Sequence, residues 1–256
     1  MSTSLQRAPA RPAGLAAMCA LFLYSLRTSL PPKRRVALLL PCLAAVLFGL
    51  IARGLDGEAA RDFASVAALA LFGLVLPVTT LVVGDAVLGA EVRRGAFTFT
   101  WMSPVPTWQI VVARWAAGTV VAGGCLALSF AIAALIAGTP DSAGPAALAV
   151  AFGAAAYVAL FMAIGCIAQR AAVWSLAFVF LVERLLGSAL SGIAQLSPTW
   201  EARAAFVGMA DVQRSLERSG IPHGTGALIR LAMLTVLALA IAIHRLPRLR
   251  MAGSTD

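Results

Sequence analysis

Apolar residues run along this chain in long, nearly uninterrupted stretches, and the few polar interruptions organise it. A helix needs about 20 apolar residues, at 1.5 Å each, to cross the hydrocarbon core of a bilayer. Six stretches predict six spans, at residues 36–52, 63–83, 115–137, 145–168, 173–194 and 227–243. Ahead of the first, Leu15, Met18, Cys19, Phe22, Leu23, Leu26 and Leu30 recur on one helical face. Arg27 and then Lys33-Arg34-Arg35 follow. A basic cluster there opposes translocation, which argues for an interfacial helix on the inner leaflet and against a secretory signal. Pro31-Pro32 turns the chain into the first span.

Two interruptions are long. Residues 195–226 separate the fifth and sixth spans, and a structureless connection of that length is uncommon. Ser197 suits a helix cap, Pro198 the first helical position and Glu201 the first turn, while Gly220 with Pro222 marks a stop. Asp211 and Arg214 are spaced to pair. The expectation is one or two short helices packed on the outer mouth, with Gly208 as a candidate break. On the fifth span, Gly187–Ser191 and Ser188–Gly192 have the spacing of close helix packing.

Composition narrows the class. The chain is 61% hydrophobic and 12% charged, with a mean hydropathy of +0.90. Soluble domains sit near 45–50% apolar and about 25% charged. The predicted fold is all-α, a polytopic helical membrane protein. The net charge of +9 comes almost wholly from arginine, because Lys33 is the only lysine. These arginines flank apolar runs, so the positive-inside rule accounts for them and nucleic acid is not an expected partner. With the N-terminus inside, thirteen basic residues fall on cytoplasmic segments, among them Arg93, Arg94, Arg114 and Arg170. Five fall outside: Arg53, Arg61, Arg203, Arg214 and Arg218. Both termini are therefore predicted to be cytoplasmic.

Other chemistry is sparse. Lys33 follows Pro-Pro and not a glycine-rich turn, so there is no P-loop. Cys19, Cys42, Cys125 and Cys166 each lie in an apolar run and read as small core residues, not as a disulfide framework. His223 and His244 fall at opposite ends of the last span and cannot share a metal or haem. No catalytic, cofactor-binding or metal-ligating residue is expected. An intramembrane prenyl-protein protease would need paired glutamates and several histidines within the spans, and they are missing.

The second interruption, residues 84–114, reads GDAVLGAEVRRGAFTFTWMSPVPTWQIVVAR. Alternation in Phe97-Thr98-Phe99-Thr100 suggests a strand, but a lone strand at a membrane surface has no partner for its backbone. Two short surface helices broken at Gly95 are preferred. They end at Ser103-Pro104-Val105-Pro106, and Trp108 marks the interface. From these residues alone the segment is either a docking surface or an amphipathic anchor for the bundle.

This segment resembles the signature of type-2 export permeases of the ATP-binding-cassette transporters. That signature is a Glu-x-x-x-Gly-Thr-x-Glu core, a Pro-Val step and a basic residue as the next span begins. Glu91, Gly95, Ala96, Thr98, Pro104, Val105 and Arg114 hold the corresponding positions. Ala96 replaces the usual threonine, Thr98 the usual glutamate, and Thr107 stands where arginine or lysine is frequent. The resemblance extends over nearly the whole chain through the number of spans, the N-terminal interfacial helix and the outer helices. It implies a single transmembrane permease domain over 1–256, in a bacterial inner (plasma) membrane. Its parts would be a cytoplasmic N-terminus with interfacial helix (1–35), a coupling segment (84–114) and an extracytoplasmic helical loop (195–226). Glu91, Arg93, Arg94, Gly95, Thr98, Phe99, Pro104 and Arg114 would couple to a separately encoded ATPase subunit carrying the ATP and Mg. A second permease copy or paralogue would complete the pathway for efflux of an amphiphilic compound such as a drug or lipid.

Glu183 and Arg184 fall near the middle of the fifth span, where a charge costs at least about 2.5–3.5 kcal/mol unless it faces protein or water. Adjacent helical positions point about 100° apart, so the two cannot simply pair. Glu183 either lines a subunit interface or watery cavity, or makes a structural hydrogen bond to a neighbouring helix. Arg230, near the outer end of the sixth span, reads as structural and able to snorkel. Other classes remain open: an ATP-independent secondary transporter or channel using Glu183, and a structural membrane subunit.

Overall fold

Every regular element among the described residues is a helix. Runs of Ala, Leu and Val without strand-length punctuation favour this, and in lipid a helix satisfies its own backbone. The structure, a computed structural model, describes residues 14–29, 32–55, 57–84, 105–168, 171–187, 191–211 and 220–247. The helices are α1 (Leu15–Ser29), α2 (Pro32–Arg53), α3 (Ala59–Gly84), α4 (Thr107–Ile136), α5 (Pro140–Gly165), α6 (residues 171–186), α7 (Pro198–Ala210) and α8 (Thr225–Arg245). Four of them, α3, α4, α5 and α8, are long and apolar enough to cross a membrane. The predicted first and fifth spans correspond to shorter apolar stretches, Leu39–Arg53 within α2 and Ala171–Glu183 within α6.

Short turns alternate between two ends of the bundle. At one end α3 stops at Gly84 and α4 starts at Thr107, bracketing residues 85–104; this is the island end. At the other, α2 turns into α3 and α4 into α5. Small residues make α5 the central helix, packed against α3, α4, α7 and α8. A Cβ on Gly153 would lie 3.0 Å from Ala202 and 3.1 Å from Leu76, so only glycine lets α3 and α7 approach α5 together. The Trp115 indole donates to the Ala155 carbonyl at 3.0 Å and ties α4 to α5.

Two buried clusters result. The larger holds Phe63, Phe72, Phe130, Tyr157 and Phe206. Its rings meet edge-on or stacked, with Phe72 5.2 Å from Phe130 and 5.5 Å from Phe206. The smaller gathers Val83, Val111, Met162, Cys166, Ala242 and Leu246 at the island end.

Several boundaries differ from expectation. The third predicted span begins earlier, at Thr107, because Pro106 is extended and the residues after it continue as helix without a break. The fifth does not run from 173 to 194. Its helix reaches Gly187, and a single turn, Ser191–Ala194, follows after residues 188–190, which lie outside the described set. Gly208 does not break α7. It sits where the chain passes into α8, and the Gly224 backbone nitrogen occupies the space a Cβ would need. α7 ends instead at Asp211, in the left-handed region at φ 49°.

Candidate functional site

The largest departure from expectation concerns α7. Its start obeys the sequence signals: the Ser197 side chain accepts from the Trp200 amide at 3.4 Å, Pro198 opens the helix and Glu201 is in the first turn. It does not sit on the outer mouth. Pro198, Glu201, Ala202, Ala205, Phe206 and Val207 are all buried. Thr199 meets Tyr157, which lies roughly 25 Å along α5 from its Pro140 end at 1.5 Å per residue. α7 is thus a re-entrant helix that begins deep inside the bundle and rises towards the end opposite the island. Its small side chains, Ala202, Ala204 and Ala205, permit this, because α5 and α8 leave no room for larger ones.

A helix that starts inside an apolar bundle brings unpaired backbone N–H groups and a partial positive charge with it. Glu183 answers both. Its side chain is 2% exposed. Ser197 donates to Oε1 at 2.6 Å, and Tyr157 donates to Oε2. Thr199 contributes a weaker hydroxyl bond at 3.4 Å and a backbone bond. Tyr157 and Thr199 are 2.5 Å apart, so three hydroxyls and a helix N-terminus converge on one carboxyl group. Such donor-rich surroundings suit an anion at a helix start. Of the roles open to Glu183 in the sequence, the hydrogen bond to neighbouring helices is the one the geometry displays.

Two stretches of π-helix frame this contact. Phe178–Leu186 carries Glu183, and Ala67–Val75 carries Phe72, which stacks on Phe206 of α7. Gly187 completes the frame, because the Trp200 indole nitrogen would lie only 3.2 Å from a Cβ there. Towards the island end, α5 and α6 diverge and leave a cleft of about 610 Å³. Ile164, Ile167, Trp174, Phe178, Leu181 and Val182 line it, so it is apolar, and Glu183 is not part of its lining.

The remaining charges sort differently. Glu201, expected in the first turn of an outer-loop helix, is 0% exposed; its Oε1 accepts from Arg230 at 3.4 Å. Arg230 also donates to the Gly220 carbonyl at 3.3 Å, so it pins α8 to α7 while keeping 39% of its side chain exposed. Arg230 is structural, as expected, with Glu201 as its unexpected partner. Arg114 was expected at the membrane surface as a coupling residue. It lies within α4, 1% exposed, in electrostatic reach of Cys166 just past the end of α5. The backbone of Arg184 belongs to the π-helical stretch. The other coupling candidates, Glu91, Arg93, Arg94, Gly95, Thr98, Phe99 and Pro104, lie outside the described residues, as do Ala96 and Arg214.

Tyr157 and Thr199 were not singled out from the sequence, and Ser197 was read only as a cap. One signal was present: Tyr157 is one of two tyrosines in the chain and interrupts a run of small residues. Among the described residues no cluster of His, Cys, Asp or Glu could hold a metal ion. No protein-family model matches the chain, and no curated protein matches it.

Proposed function

We propose that this chain is the membrane-embedded permease subunit of an ATP-binding-cassette exporter. In this reading α2 and α6 cross the membrane alongside the four long helices, giving six spans with both termini cytoplasmic in the plasma membrane. Residues 84–114 dock on a separate ATPase subunit, which holds ATP and Mg. A second permease copy or paralogue completes the pathway. The cargo is amphiphilic, in keeping with the apolar cleft between α5 and α6.

The observation that carries the proposal is how the island is mounted. Residues 85–104, with Glu91, Arg93 and Arg94, connect α3 to α4 in the sequence, and those two long helices are rooted in the aromatic cluster. Arg114 is buried two turns into α4, past the start of that helix at Thr107. A push on the island would therefore travel into α3, which also packs on α7 through Phe72 and Phe206. Glu183 is engaged in holding α7, so the ATP-independent carrier, which needs that carboxyl for a proton, is not preferred.

The test is a set of single cysteines between Glu91 and Thr100, in vesicles containing the chain and the ATPase encoded beside it. They should cross-link to the ATPase, and charge reversal at Glu91 or Arg94 should leave ATP hydrolysis running without transport. Reversed variants that bind the ATPase and transport normally would reduce the island to an anchor and overturn the proposal.

A further inference from the structure

Two of the four cysteines, each of which looked like an isolated core residue, touch. Cys42 on α2 and Cys125 on α4 are thiols with their sulfurs 3.4 Å apart. The helices run side by side in matching register here. Two turns further on, a Cβ on Gly49 would lie 2.7 Å from the Ala133 carbonyl oxygen, so the backbones are nearly in contact. A disulfide needs an S–S separation of about 2.05 Å, so the two sulfurs have roughly 1.4 Å to close. The Ser129 hydroxyl lies 3.1 Å from Cys42 Sγ and donates to the Cys125 carbonyl at 2.7 Å, so the pair has a hydrogen-bonding group beside it. Cys19 is exposed on α1 and Cys166 is buried just past the end of α5.

We infer that Cys42 and Cys125 form a dithiol that a fatty-acyl hydroperoxide converts into a disulfide tying α2 to α4. The surroundings select the oxidant. Both sulfurs are half-buried, and the seam beside them is apolar and outward-facing: Leu43 is 65% exposed and Leu128 is 68% exposed. In a bilayer those surfaces meet acyl chains, so an oxidant carried on an acyl chain reaches the pair more readily than a water-borne one.

The chemistry balances in two steps. Cys42 sulfur attacks the terminal oxygen of the hydroperoxide and the O–O bond breaks. The lipid leaves as an alkoxide, takes the thiol proton and becomes an alcohol, and Cys42 becomes a sulfenic acid. Cys125 sulfur then attacks Cys42 sulfur, the S–O bond breaks, and hydroxide leaves with the Cys125 proton as water. The two sulfurs lose the two electrons that the peroxide gains. The product joins α2 covalently to α4, the helix that carries Arg114 and leads to the island, so it restricts any motion between them.

The test uses the full chain in vesicles whose phospholipids carry either a linoleoyl hydroperoxide or the unoxidised linoleoyl chain. The hydroperoxide should remove two hydrogens from the intact mass and yield one linked peptide containing Cys42 and Cys125, reversed by a phosphine. Cys42→Ser and Cys125→Ser should each abolish it, and Gly49→Ala, which moves α2 off α4, should lower its yield. Free Cys42 and Cys125 that both still react with a membrane-permeant maleimide, after the hydroperoxide has been consumed, would overturn the inference. A sulfenic or sulfinic acid that persists at Cys42 without the linked peptide, or linkage to Cys19 or Cys166 instead, counts equally against it. None of these outcomes depends on what the chain transports.

Discussion

Replacing Glu183 by glutamine preserves the side chain's size and removes its charge and one of its two acceptor oxygens. In the structure one oxygen takes the Ser197 hydroxyl at 2.6 Å, and the other takes Tyr157 and, weakly, Thr199. Glutamine can serve one side only, and its NH₂ group faces hydroxyls already oriented as donors. Tyr157 has Thr199 as an alternative at 2.5 Å, so Ser197 is the group most exposed to being stranded. A buried donor left unpaired costs about 1–3 kcal/mol. Loss of the anion at the start of α7 removes up to about 2 kcal/mol of helix-dipole stabilisation. These contributions overlap, and interhelical hydrogen bonds in membranes average only about 0.6 kcal/mol because the unfolded chain also finds partners. The expected loss for Glu183→Gln is about 2–3 kcal/mol. Tyr157→Phe, which leaves the Ser197 bond intact, should cost about 1 kcal/mol. Unfolding by SDS in mixed micelles measures the total, and amide exchange across residues 198–210 reports α7 itself. If Glu183→Gln unfolds within about 0.5 kcal/mol of wild type, with α7 exchange unchanged, the carboxyl does not hold this helix.

Other expectations follow from particular contacts. Gly208→Ala should destabilise by about 1–3 kcal/mol or more, because the Gly224 backbone cannot rotate away from the new methyl group. Gly144→Ala on α5, with nothing within 4 Å, should raise the thermal midpoint through up to about 1 kcal/mol of helix propensity; equal effects at both glycines would contradict the packing. Arg230→Ala should cost about 2–4 kcal/mol by SDS unfolding, less than breaking a fully buried pair because Arg230 is part-exposed. Adding Glu201→Gln should recover most of that loss, and no recovery would mean that the pair does not act as a unit. In a background without the native cysteines, an impermeant maleimide should label positions within 212–219 from outside and positions within 91–100 only from inside. Labelling of both from one side would refute the six-span orientation.

Much of the fold was legible because membrane insertion leaves so few choices. The apolar stretches located every long helix, to within a few residues at most ends. Ser197-Pro198 marked the start of α7 through local chemistry that does not depend on where the helix lies. What could not be read was depth. Glu201 looks like a loop residue by its charge, yet it is buried against Arg230, because α7 folds back into the bundle. Arg114 looked like a boundary residue because arginine rarely enters a span, yet α4 continues past it to Thr107. Cys42 and Cys125, more than eighty positions apart, carry no local sign that they meet.

Local chemistry along the chain is enough to make it helical and strongly apolar, to place its polar interruptions, and to require a partner for Glu183. Periodicity, capping and the cost of an unpaired charge in lipid are all local, so they are visible in one dimension. Tertiary structure alone decided that the partner of Glu183 is the start of another helix, reached through Tyr157, Ser197 and Thr199. Re-entry depends on whether neighbouring helices leave a slot, and that slot is made by Gly153, Gly187 and two π-helical stretches acting together. Each of them is unremarkable alone, because a glycine records that space is needed without recording what fills it.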